Sequence, residues 1–355
     1  MSVNVNSGGQ SIFSEPMTFK GYAIEDPSKW TDFKLIEYQP KSLGDNDVDI
    51  KIAFCGVCGT DIHTITGGWG APILPVIPGH EIAGQVVSVG PQVKNIKIGD
   101  RVGVGCSDLV FTYNDKYKEC GSIAQGGYAN AIRVNERFVF PIPDGLKLED
   151  AAPMFCGGLT VYSPLVRNGA GQLMTSSRPG KKVGVVGIGG LGHFALQFAK
   201  ALECDEVIAF SHSRRKEEDA MKLGATKFVA TVETGFEIPL KHTLDLIICT
   251  TDVVSGIALD ELMSTLVPGG CLIMVAIPDD KLPAVSKGTL LASGLYGGSL
   301  LGSKKEAADM LQLASDKGIK PWIEIIPMSE AGKAVQNVKD GLPRYRYVLK
   351  QDIDQ

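Results

Sequence analysis

The sequence predicts an α/β protein with two domains, one β-rich and one built on a doubly wound parallel sheet. A chain of 355 residues is longer than one hydrophobic core of ordinary size requires. From about residue 22 to residue 140, short strands are separated by Gly, Pro and Asp turns. After Pro153, apolar strands alternate with helices, which is typical of a parallel sheet covered on both faces.

The individual elements follow from the spacing of apolar residues. In the first domain DVDIKIAF and EIAGQVVSVG alternate as half-buried strands do. In the second domain the predicted strands are KKVGVV, DEVIAF, LDLIICT and GGCLIMVAI, and the predicted helices are GHFALQFAKALE and RRKEEDAMKLGA. The final RYRYVLK alternates again, which favours a strand that rejoins the first domain.

Charge and composition limit the possible partners and location. The chain has 35 Lys and Arg against 40 Asp and Glu, a net charge of −5, so neither nucleic acid nor an anionic membrane is an expected partner. It contains no apolar run of about 18 residues and no signal-peptide pattern, so a cytoplasmic location is expected. In that compartment the eight cysteines are expected as thiols or metal ligands.

A glycine-rich turn follows the first strand of the second domain. Its residues are Gly187, Ile188, Gly189, Gly190, Leu191 and Gly192. The first glycine permits a sharp turn, Gly189 lets a pyrophosphate approach the backbone, and the last lets helix and strand pack closely. Because a strand precedes the turn and a helix follows it, the pattern predicts dinucleotide binding with the phosphates at the helix N-terminus.

The end of the next strand indicates which dinucleotide is bound. NAD enzymes carry an Asp or Glu there, about 20 residues further on, to bind the ribose 2′-hydroxyl. The sequence instead reads SHSRRK, and the hydroxyls and cations of Ser211, Ser213, Arg215 and Lys216 suit a 2′-phosphate. We therefore expect NADP(H).

The segment FCGVCGTDIH, residues 54–63, holds two cysteines, a hydroxyl, a carboxylate and an imidazole. CxxC alone permits a redox dithiol, but that motif belongs at the start of a helix, and this one ends a predicted strand. Cys58, His80 and Cys156 together form a Cys, His, Cys set, which binds catalytic zinc with a fourth position open. Cys55 is expected to be a small buried residue and not a ligand.

Five motifs, in the order GVCGTDIH, GHEIAG, QGGYA, CGGLTVYSPL and GIGGLG, resemble those of the zinc-dependent medium-chain alcohol dehydrogenases. The closest resemblance is to the cinnamyl alcohol dehydrogenase branch and its fungal NADP-dependent members, over nearly the whole chain after about residue 20. It implies a GroES-like catalytic domain over residues 1–160, a Rossmann NADP-binding domain over 161–320 and a return to the catalytic domain over 321–355. It also implies a homodimer, with apolar segments near residues 268–301 as the candidate interface.

The resemblance assigns a metal site. It implies a catalytic zinc held by Cys58, His80 and Cys156, with Glu81 as an alternate or transient ligand. Asp61 would orient a ligand, because metal-bound imidazoles usually require a hydrogen-bonded partner. The zinc would act on the substrate oxygen as a Lewis acid while hydride moves to or from the nicotinamide.

The resemblance also assigns roles to five residues around the substrate and the cofactor. Thr60 would bond the substrate oxygen, and His63 would pass the proton to solvent through the cofactor ribose. Thr160 would contact the nicotinamide carboxamide, and Arg346 the pyrophosphate. Trp69 would line a pocket suited to flat aromatic or medium-chain aldehydes, although an indole at that position is also compatible with packing.

One part of the sequence departs from this branch, which normally carries four closely spaced cysteines that hold a structural zinc. Only Cys106 and Cys120 lie in that region, and two thiols cannot fill a closed tetrahedral site. Either the lobe that carries these four cysteines is absent from this protein, or residues are missing from the sequence between Ser107 and Asp108. The segment GAGQLMTSSRPGKK is also longer than the usual link into the first nucleotide-binding strand.

Taken together, these features predict an NADP(H)-dependent zinc alcohol dehydrogenase. It would reduce cinnamyl, benzylic and medium-chain aldehydes, and run backward on primary alcohols. Two alternatives remain open at this point: a zinc-free reductase of the same fold that acts on enones or conjugated imines, and a nucleotide-binding protein without catalysis. Metal analysis distinguishes the zinc-free reductase from the zinc enzyme, and a turnover assay distinguishes the non-catalytic binding protein from either enzyme.

Overall fold

The structure, a computed structural model, describes residues 10–11, 17–105, 111–118, 120–171, 180–253, 256–278 and 281–354. The chain divides into two compact units. The first comprises Met1–Cys156, Ser303–Ser315 and Trp322–Gln355, and the second comprises Gly157–Gly302 and Asp316–Pro321. The domain boundaries expected from the sequence, at residues 160 and 320, stay a prediction.

The N-terminal part of the first unit is mainly β-structure. Its strands are β1 Gln10–Ser11, β2 Phe19–Ala23, β3 Lys34–Tyr38, β4 Asp47–Gly56, β5 Ile82–Val89, β6 Arg101–Val104, β7 Asp115–Lys116, β8 Ile123–Ala124, β9 Ala131–Asn135 and β10 Val139–Pro141. Its α-helices are α1 Gly59–Thr66 and α2 Leu148–Ala151. Short 3₁₀ turns cover Pro27–Lys29, Glu136–Phe138 and Ala152–Phe155.

Strands and helices alternate in the second unit. In chain order they are α3 Gly157–Arg167, β11 Lys182–Val186, α4 Gly192–Ala201, β12 Glu206–Ser211, α5 Glu217–Leu223, β13 Lys227–Ala230, β14 Leu244–Cys249, α6 Leu259–Ser264, β15 Leu266–Met274, α7 Lys287–Ser293 and β16 Gly294–Gly298. Short 3₁₀ turns cover Arg214–Lys216 and Ile238–Leu240.

The C-terminal part of the chain adds two helices and two strands. These are α8 Lys304–Lys317, β17 Ile323–Pro327, α9 Ala331–Lys339 and β18 Arg346–Lys350. A 3₁₀ turn over Met328–Glu330 leads into α9. None of the described helices has both the length and the apolar character that a bilayer crossing requires.

The main sheet of the first unit has the strand order β10-β6-β5-β4-β18-β17, with β1 on β5 and β9 on β4. Its centre is apolar on one face because β-branched residues of β4 and β5, such as Ile50 and Ile82, are fully buried. The last strand, β18, pairs antiparallel with the end of β4, where Leu349 lies opposite Cys55. The C-terminal strand therefore lies next to the strand end that leads into Cys58.

The sheet of the second unit is parallel throughout, in the order β13-β12-β11-β14-β15-β16. Strands β12 and β14 are almost continuously buried, as in a sheet covered on both faces. The strand order reverses between β11 and β14, and sheets of this type bind ligands beyond the carboxyl ends of the strands at such a point. The predicted class, a β-rich unit plus a doubly wound parallel sheet, is confirmed.

Candidate active site

The chain bends sharply between β4 and α1, and this bend positions Cys58. A Cβ atom on Gly56 would overlap Oε2 of Glu81, so only glycine lets the strand end pass this side chain. Cys58 is the N-cap of α1, with extended backbone angles, and its amide donates to Oδ2 of Asp61 at 3.0 Å. The helix ends at Gly67, which adopts the left-handed conformation with φ of 76°.

Four potential metal ligands meet beside this bend. Cys58, His80, Glu81 and Cys156 each offer a donor atom, and all four atoms lie within 4.8 Å of one another. The two sulfurs are 4.0 Å apart although the cysteines are 98 positions apart in the chain. Two thiolates on one tetrahedral zinc, each about 2.3 Å from it, stand roughly 3.8 Å apart. The sulfur separation therefore fits a shared zinc ion.

His80 has the orientation of a metal ligand. Its Nδ1 lies 2.9 Å from Oδ1 of Asp61, so in the neutral, metal-binding form of the ring the proton stays on Nδ1 and Nε2 presents the lone pair. That Nε2 is buried and has no hydrogen-bond partner among the described residues. A buried nitrogen without a partner is unfavourable by about 1–3 kcal/mol. A zinc ion at this position would satisfy it.

Asp61 is held by four further donors. Oδ1 also accepts from the Gly79 amide at 3.1 Å and from the Tyr113 hydroxyl at 2.7 Å. Oδ2 accepts from the amide of Cys58 and, at a longer 3.4 Å, from the hydroxyl of Tyr128. The carboxylate is fully buried, so these bonds replace the water that it loses.

Glu81 lies in a buried ion pair. Nη2 of Arg346 is 2.5 Å from Oε1 of Glu81 and also donates to the carbonyl of Val57 at 3.1 Å. Burial raises the pKa of Glu81 to about 7, and the charge of Arg346 opposes this rise. Only 4% of Arg346 is exposed, which rules out a surface cation. Its predicted contact with a pyrophosphate stays a prediction.

The pKa values of the two thiols, Cys58 and Cys156, are shifted in opposite directions. The hydrogen bond from Cys156 lowers the pKa of Cys58 well below that of an ordinary thiol, and it outweighs the effect of burial. The same bond, followed by burial, raises the pKa of Cys156 well above the ordinary value. Burial lowers the pKa of His80, but the charge of Asp61 and then that of Cys156 raise it by more than burial lowers it. The pKa of His80 therefore lies well above its ordinary value. The lowered pKa of Cys58 favours its thiolate, the form that binds metals.

A cavity of about 160 Å³ opens beside His80. The described residues that line it include Thr60, Thr64, Trp69, Phe111, Thr112 and Tyr113. The imidazole of His63 stacks on the indole of Trp69, with ring centroids 4.6 Å apart and planes 7° apart. The structure thus brings Thr60, Trp69 and His80 to one cavity and seats His63 on its aromatic wall.

A larger cavity, of about 490 Å³, lies in the second unit at the reversal of strand order. Gly187 adopts φ of 87°, and Gly189 has no atom near the position of a Cβ. A Cβ on Gly192 would overlap the carbonyl oxygen of Gly187. These observations match the three roles expected of the glycines: a tight turn, an open approach and close packing.

Two of the four residues predicted for a 2′-phosphate line this cavity. Ser211 and Lys216 line it, and Nζ of Lys216 donates to the carbonyl of Ile188 in the glycine turn. Ser213 is the N-cap of the 3₁₀ turn that follows β12, and Arg215 in that turn is exposed. Arg214, in contrast, pairs with Glu217 and Glu233.

The remaining predicted residue, Thr160, lies in α3 and is 4% exposed. Its predicted contact with the nicotinamide carboxamide stays a prediction. Residues 106–110, in the region where this branch normally holds a structural zinc, and residues 172–179 lie outside the described residues.

Sequence reasoning missed several residues of these sites. Tyr113 and Tyr128 bond Asp61, but no spacing distinguishes an orienting tyrosine from a core one. Thr250 lines the larger cavity, and its single hydroxyl proton is shared between the carbonyls of Val186 and Gly187, each 2.9 Å from Oγ1. A signal for Thr250 existed, since it directly follows a buried strand of the parallel sheet.

The segment FCGVCG ends β4 and also leads into α1, since Cys58 is the N-cap of that helix. Its place at a strand end is therefore not a sufficient reason to exclude a redox dithiol. The positions of the sulfurs give a better reason. Among the described residues, the sulfur of Cys58 contacts that of Cys156 and not that of Cys55. Cys55 is fully buried, and its thiol donates to the carbonyl of Gly56 at 3.5 Å.

Comparison with known proteins agrees with this arrangement. The Alcohol dehydrogenase GroES-like domain family matches residues 44–144, and the Zinc-binding dehydrogenase family matches residues 190–316. NADP-dependent alcohol dehydrogenase 6 of Saccharomyces cerevisiae is 41% identical, over 95% of this chain and 97% of its own.

Two solved structures are also similar. A cinnamyl alcohol dehydrogenase of Sorghum bicolor has a TM-score of 0.85 at 34% identity, and that of Helicobacter pylori, complexed with NADP(H), has 0.82 at 33%. Each match covers 94% of this chain and 98% of the other. The chain belongs to the zinc-dependent medium-chain alcohol dehydrogenases, in the cinnamyl alcohol dehydrogenase branch, as its motifs predicted. It is therefore an oxidoreductase.

Proposed function

We propose that the protein is an NADP(H)-dependent zinc alcohol dehydrogenase. It reduces cinnamyl, benzylic and medium-chain aldehydes and oxidises the corresponding primary alcohols. The observation that carries the proposal is the buried cluster of Cys58, His80 and Cys156, with sulfurs 4.0 Å apart and an imidazole oriented by Asp61.

In this proposal, three side chains bind the zinc and a fourth is an alternate ligand. Cys58, His80 and Cys156 are the ligands, and Glu81 is an alternate one that must first leave Arg346. When bound, zinc supplies a Lewis acid for the substrate oxygen and NADP(H) supplies or accepts the hydride. Burial of the cluster excludes bulk water, which strengthens every electrostatic interaction there.

Proton movement is assigned to the cavity wall. Thr60 Oγ1 bonds the substrate oxygen, gives it a proton during reduction and recovers one from His63. His63 would in turn take up a proton from solvent, and a proton would pass between His63 and Thr60 through the ribose of bound NADP(H); oxidation of an alcohol would run this relay in reverse. Trp69, stacked on His63, supplies a flat apolar wall, which favours aromatic and medium-chain substrates.

The preference for NADP(H) rests on charge. Ser211, Ser213, Arg215 and Lys216 replace the carboxylate that would bind a free ribose hydroxyl. The NADP-dependent alcohol dehydrogenase 6 of Saccharomyces cerevisiae and the Helicobacter pylori enzyme complexed with NADP(H) support the same choice. We assign the pyrophosphate to the backbone of Gly187, Gly189, Gly190, Leu191 and Gly192, with Arg346 as a further cation. Thr160 is assigned to the nicotinamide carboxamide.

The protein is proposed to act as a homodimer formed by the second unit. Strand β16 lies at an edge of the parallel sheet, and an unpaired edge readily joins another strand. Large apolar side chains beside it are exposed, namely Leu290, Leu291 and Leu295. All three fall within the segment 268–301 that the sequence indicated.

Elemental analysis combined with a substrate panel tests the proposal. The purified protein should contain at least one zinc per chain and reduce cinnamaldehyde and benzaldehyde faster with NADPH than with NADH. Cys156→Ala should lose the catalytic zinc and the activity, whereas Cys55→Ala should keep both. Unchanged aldehyde reduction in Cys156→Ala would refute the site assignment.

The same panel distinguishes the alternatives. Including an enone such as butenone separates reduction of a carbonyl from reduction of a conjugated double bond. Active protein without zinc that reduces only the enone double bond would support the zinc-free reductase. Absence of turnover with every substrate, despite NADPH binding, would support a binding protein.

A further inference from the structure

Tyr113 lies beside the cluster of Cys58, His80, Glu81 and Cys156, although it belongs to none of the five sequence motifs. Its side chain is 5% exposed, and its hydroxyl donates to Oδ1 of Asp61 at 2.7 Å. The same oxygen faces Nδ1 of His80 at 2.9 Å. The tyrosine hydroxyl and the imidazole of a potential ligand therefore share a single carboxylate oxygen.

The ring of Tyr113 also lies against His80. The two ring centroids are 6.1 Å apart and their planes differ by 28°, an approximately stacked arrangement. Tyr113 lines the same cavity as Thr60 and Trp69. It thus contacts both the imidazole and the carboxylate that orients the imidazole.

A short hairpin fixes the position of Tyr113. The next residue, Asn114, donates its amide to the carbonyl of Ala124 at 3.1 Å and accepts from the amide of Ile73 at 2.8 Å. Strands β7 and β8 follow and pair with each other. These bonds hold the backbone on the C-terminal side of Tyr113, so that the ring is placed by a local framework.

The chemistry of the hydroxyl suits a permanent donor. Burial, followed by the nearby charge of Asp61, raises the pKa of Tyr113 well above its ordinary value. The hydroxyl therefore keeps its proton at every physiological pH. The carboxylate accepts that proton in a hydrogen bond but does not remove it.

We propose that Tyr113 is a positioning residue of the metal centre: its hydroxyl fixes the carboxylate of Asp61, which in turn fixes the tautomer and the ring direction of His80. The inference rests on the zinc site proposed above. Without the hydroxyl, Oδ1 loses its shortest bond, and the carboxylate gains freedom to turn away from Nδ1. His80 then presents Nε2 to the metal less often, and metal affinity falls.

The test measures zinc affinity by competition with a chromophoric chelator, independently of turnover. Removing groups that orient metal ligands typically weakens metal binding about 10- to 100-fold, so Tyr113→Phe should weaken zinc binding by at least about tenfold. Tyr128→Phe, which removes the 3.4 Å bond to the other oxygen, should have a smaller effect. Zinc affinity equal to that of the native protein in Tyr113→Phe would overturn the proposal.

Tyr38→Phe is the matched control. It removes the hydroxyl of another tyrosine of the first unit, whose bond goes to the carbonyl of Ala131 at 3.1 Å. Its zinc affinity should stay within twofold of the native value, while both variants lose comparable thermal stability in the metal-free form. Equal loss of zinc affinity in both variants would show a general structural effect and overturn the assignment.

Two further outcomes are distinguishable. If Tyr113→Phe folds only with added zinc, the concentration required should exceed that of the native protein by about tenfold. Failure to fold at any zinc concentration would make the hydroxyl a structural element and refute its role in metal positioning. If the native protein itself binds no zinc, the proposed function fails, and this inference fails with it.

Discussion

Arg346 and Glu81 show how two residues assigned separately act as a pair. The sequence indicates a phosphate-binding cation and an alternate metal ligand, 265 positions apart. The structure joins them at 2.5 Å, with both residues buried. No periodicity or motif spacing encodes this contact, because it depends on β18 pairing with β4.

We predict that Arg346→Met destabilises the metal-free protein by about 3–5 kcal/mol at pH 9, because it leaves a buried carboxylate without its cation. The folded pKa of Glu81, about 7, already exceeds its ordinary value of 4.5, and loss of Arg346 raises it further. As the pH rises, ionisation of Glu81 lowers the free energy of unfolding of the native protein only up to about pH 7. In the variant, with its higher folded pKa, the free energy of unfolding continues to fall above pH 7. Urea unfolding at pH 6 and pH 9 should show a larger difference at pH 9.

Lys333→Met is the control for that measurement. Lys333 pairs with Glu330 at 2.7 Å, but both side chains are well exposed and the pair is screened by water, so this change should leave the free energy of unfolding almost unchanged. A loss in Arg346→Met no greater than in Lys333→Met would contradict the view that the Glu81 pair is buried.

Among the elements, the glycine turn between β11 and α4 offers a matched pair of substitutions. Gly192→Ala should destabilise the protein by roughly 1–3 kcal/mol, because its Cβ would overlap the carbonyl of Gly187. Gly189→Ala meets no neighbouring atom, so the fold should be unaffected, while the methyl group obstructs the approach of a pyrophosphate. Thermal unfolding and NADPH titration of both variants measure the two effects.

The expected pattern is a lowered melting temperature with Gly192→Ala, and an NADPH dissociation constant raised about tenfold or more with Gly189→Ala, equivalent to about 1.4 kcal/mol. Unchanged NADPH binding by Gly189→Ala would remove the pyrophosphate from this turn.

The end of β12 decides coenzyme choice in this account. Ser211→Asp should raise the KM for NADPH by roughly tenfold and improve the use of NADH, because a carboxylate repels the 2′-phosphate and accepts bonds from a free hydroxyl. Ser211→Asn has nearly the same shape without the charge, and should change the ratio of the two coenzymes much less. Equal effects of Asp and Asn would show that shape, and not charge, sets the preference.

The elements themselves were largely predictable from the sequence. The buried strands β11, β12 and β14 follow from runs of apolar residues between turns, because both faces of the sheet are covered there. Strand β15 comes from a similar run, but its residues are only partly buried. The helix α1 was missed, since its eight residues contain Gly and three Thr and show little helical preference. It begins because Asp61 bonds back to the amide of Cys58, an interaction fixed by the metal-site geometry.

At the scale of the whole molecule, the proposed dimer makes a prediction about assembly. Leu295, on edge strand β16, is 65% exposed in the single chain. Leu295→Glu should shift the protein from dimer to monomer in light scattering, because a charge would be buried at the interface. Leu342→Glu, at a similarly exposed leucine of the first unit, should leave the mass unchanged. A monomeric native protein would refute the proposal directly.

The convergence of distant residues also belongs to this scale, and it marks the limit of local reasoning. No local spacing links Cys58, His80 and Cys156, because the sheet that joins them is formed by long-range pairing, so their residue types suggested a ligand set and the family resemblance assigned it. Tyr113 escaped detection because its role depends on a hairpin that places one hydroxyl on one oxygen.

The most direct test of the central claim is X-ray diffraction from crystals of the active protein, at wavelengths on both sides of the zinc absorption edge. The account predicts an anomalous peak about 2.3 Å from the sulfurs of both Cys58 and Cys156 and about 2.0–2.1 Å from Nε2 of His80. Fully active crystals with no zinc peak between these three atoms would contradict it.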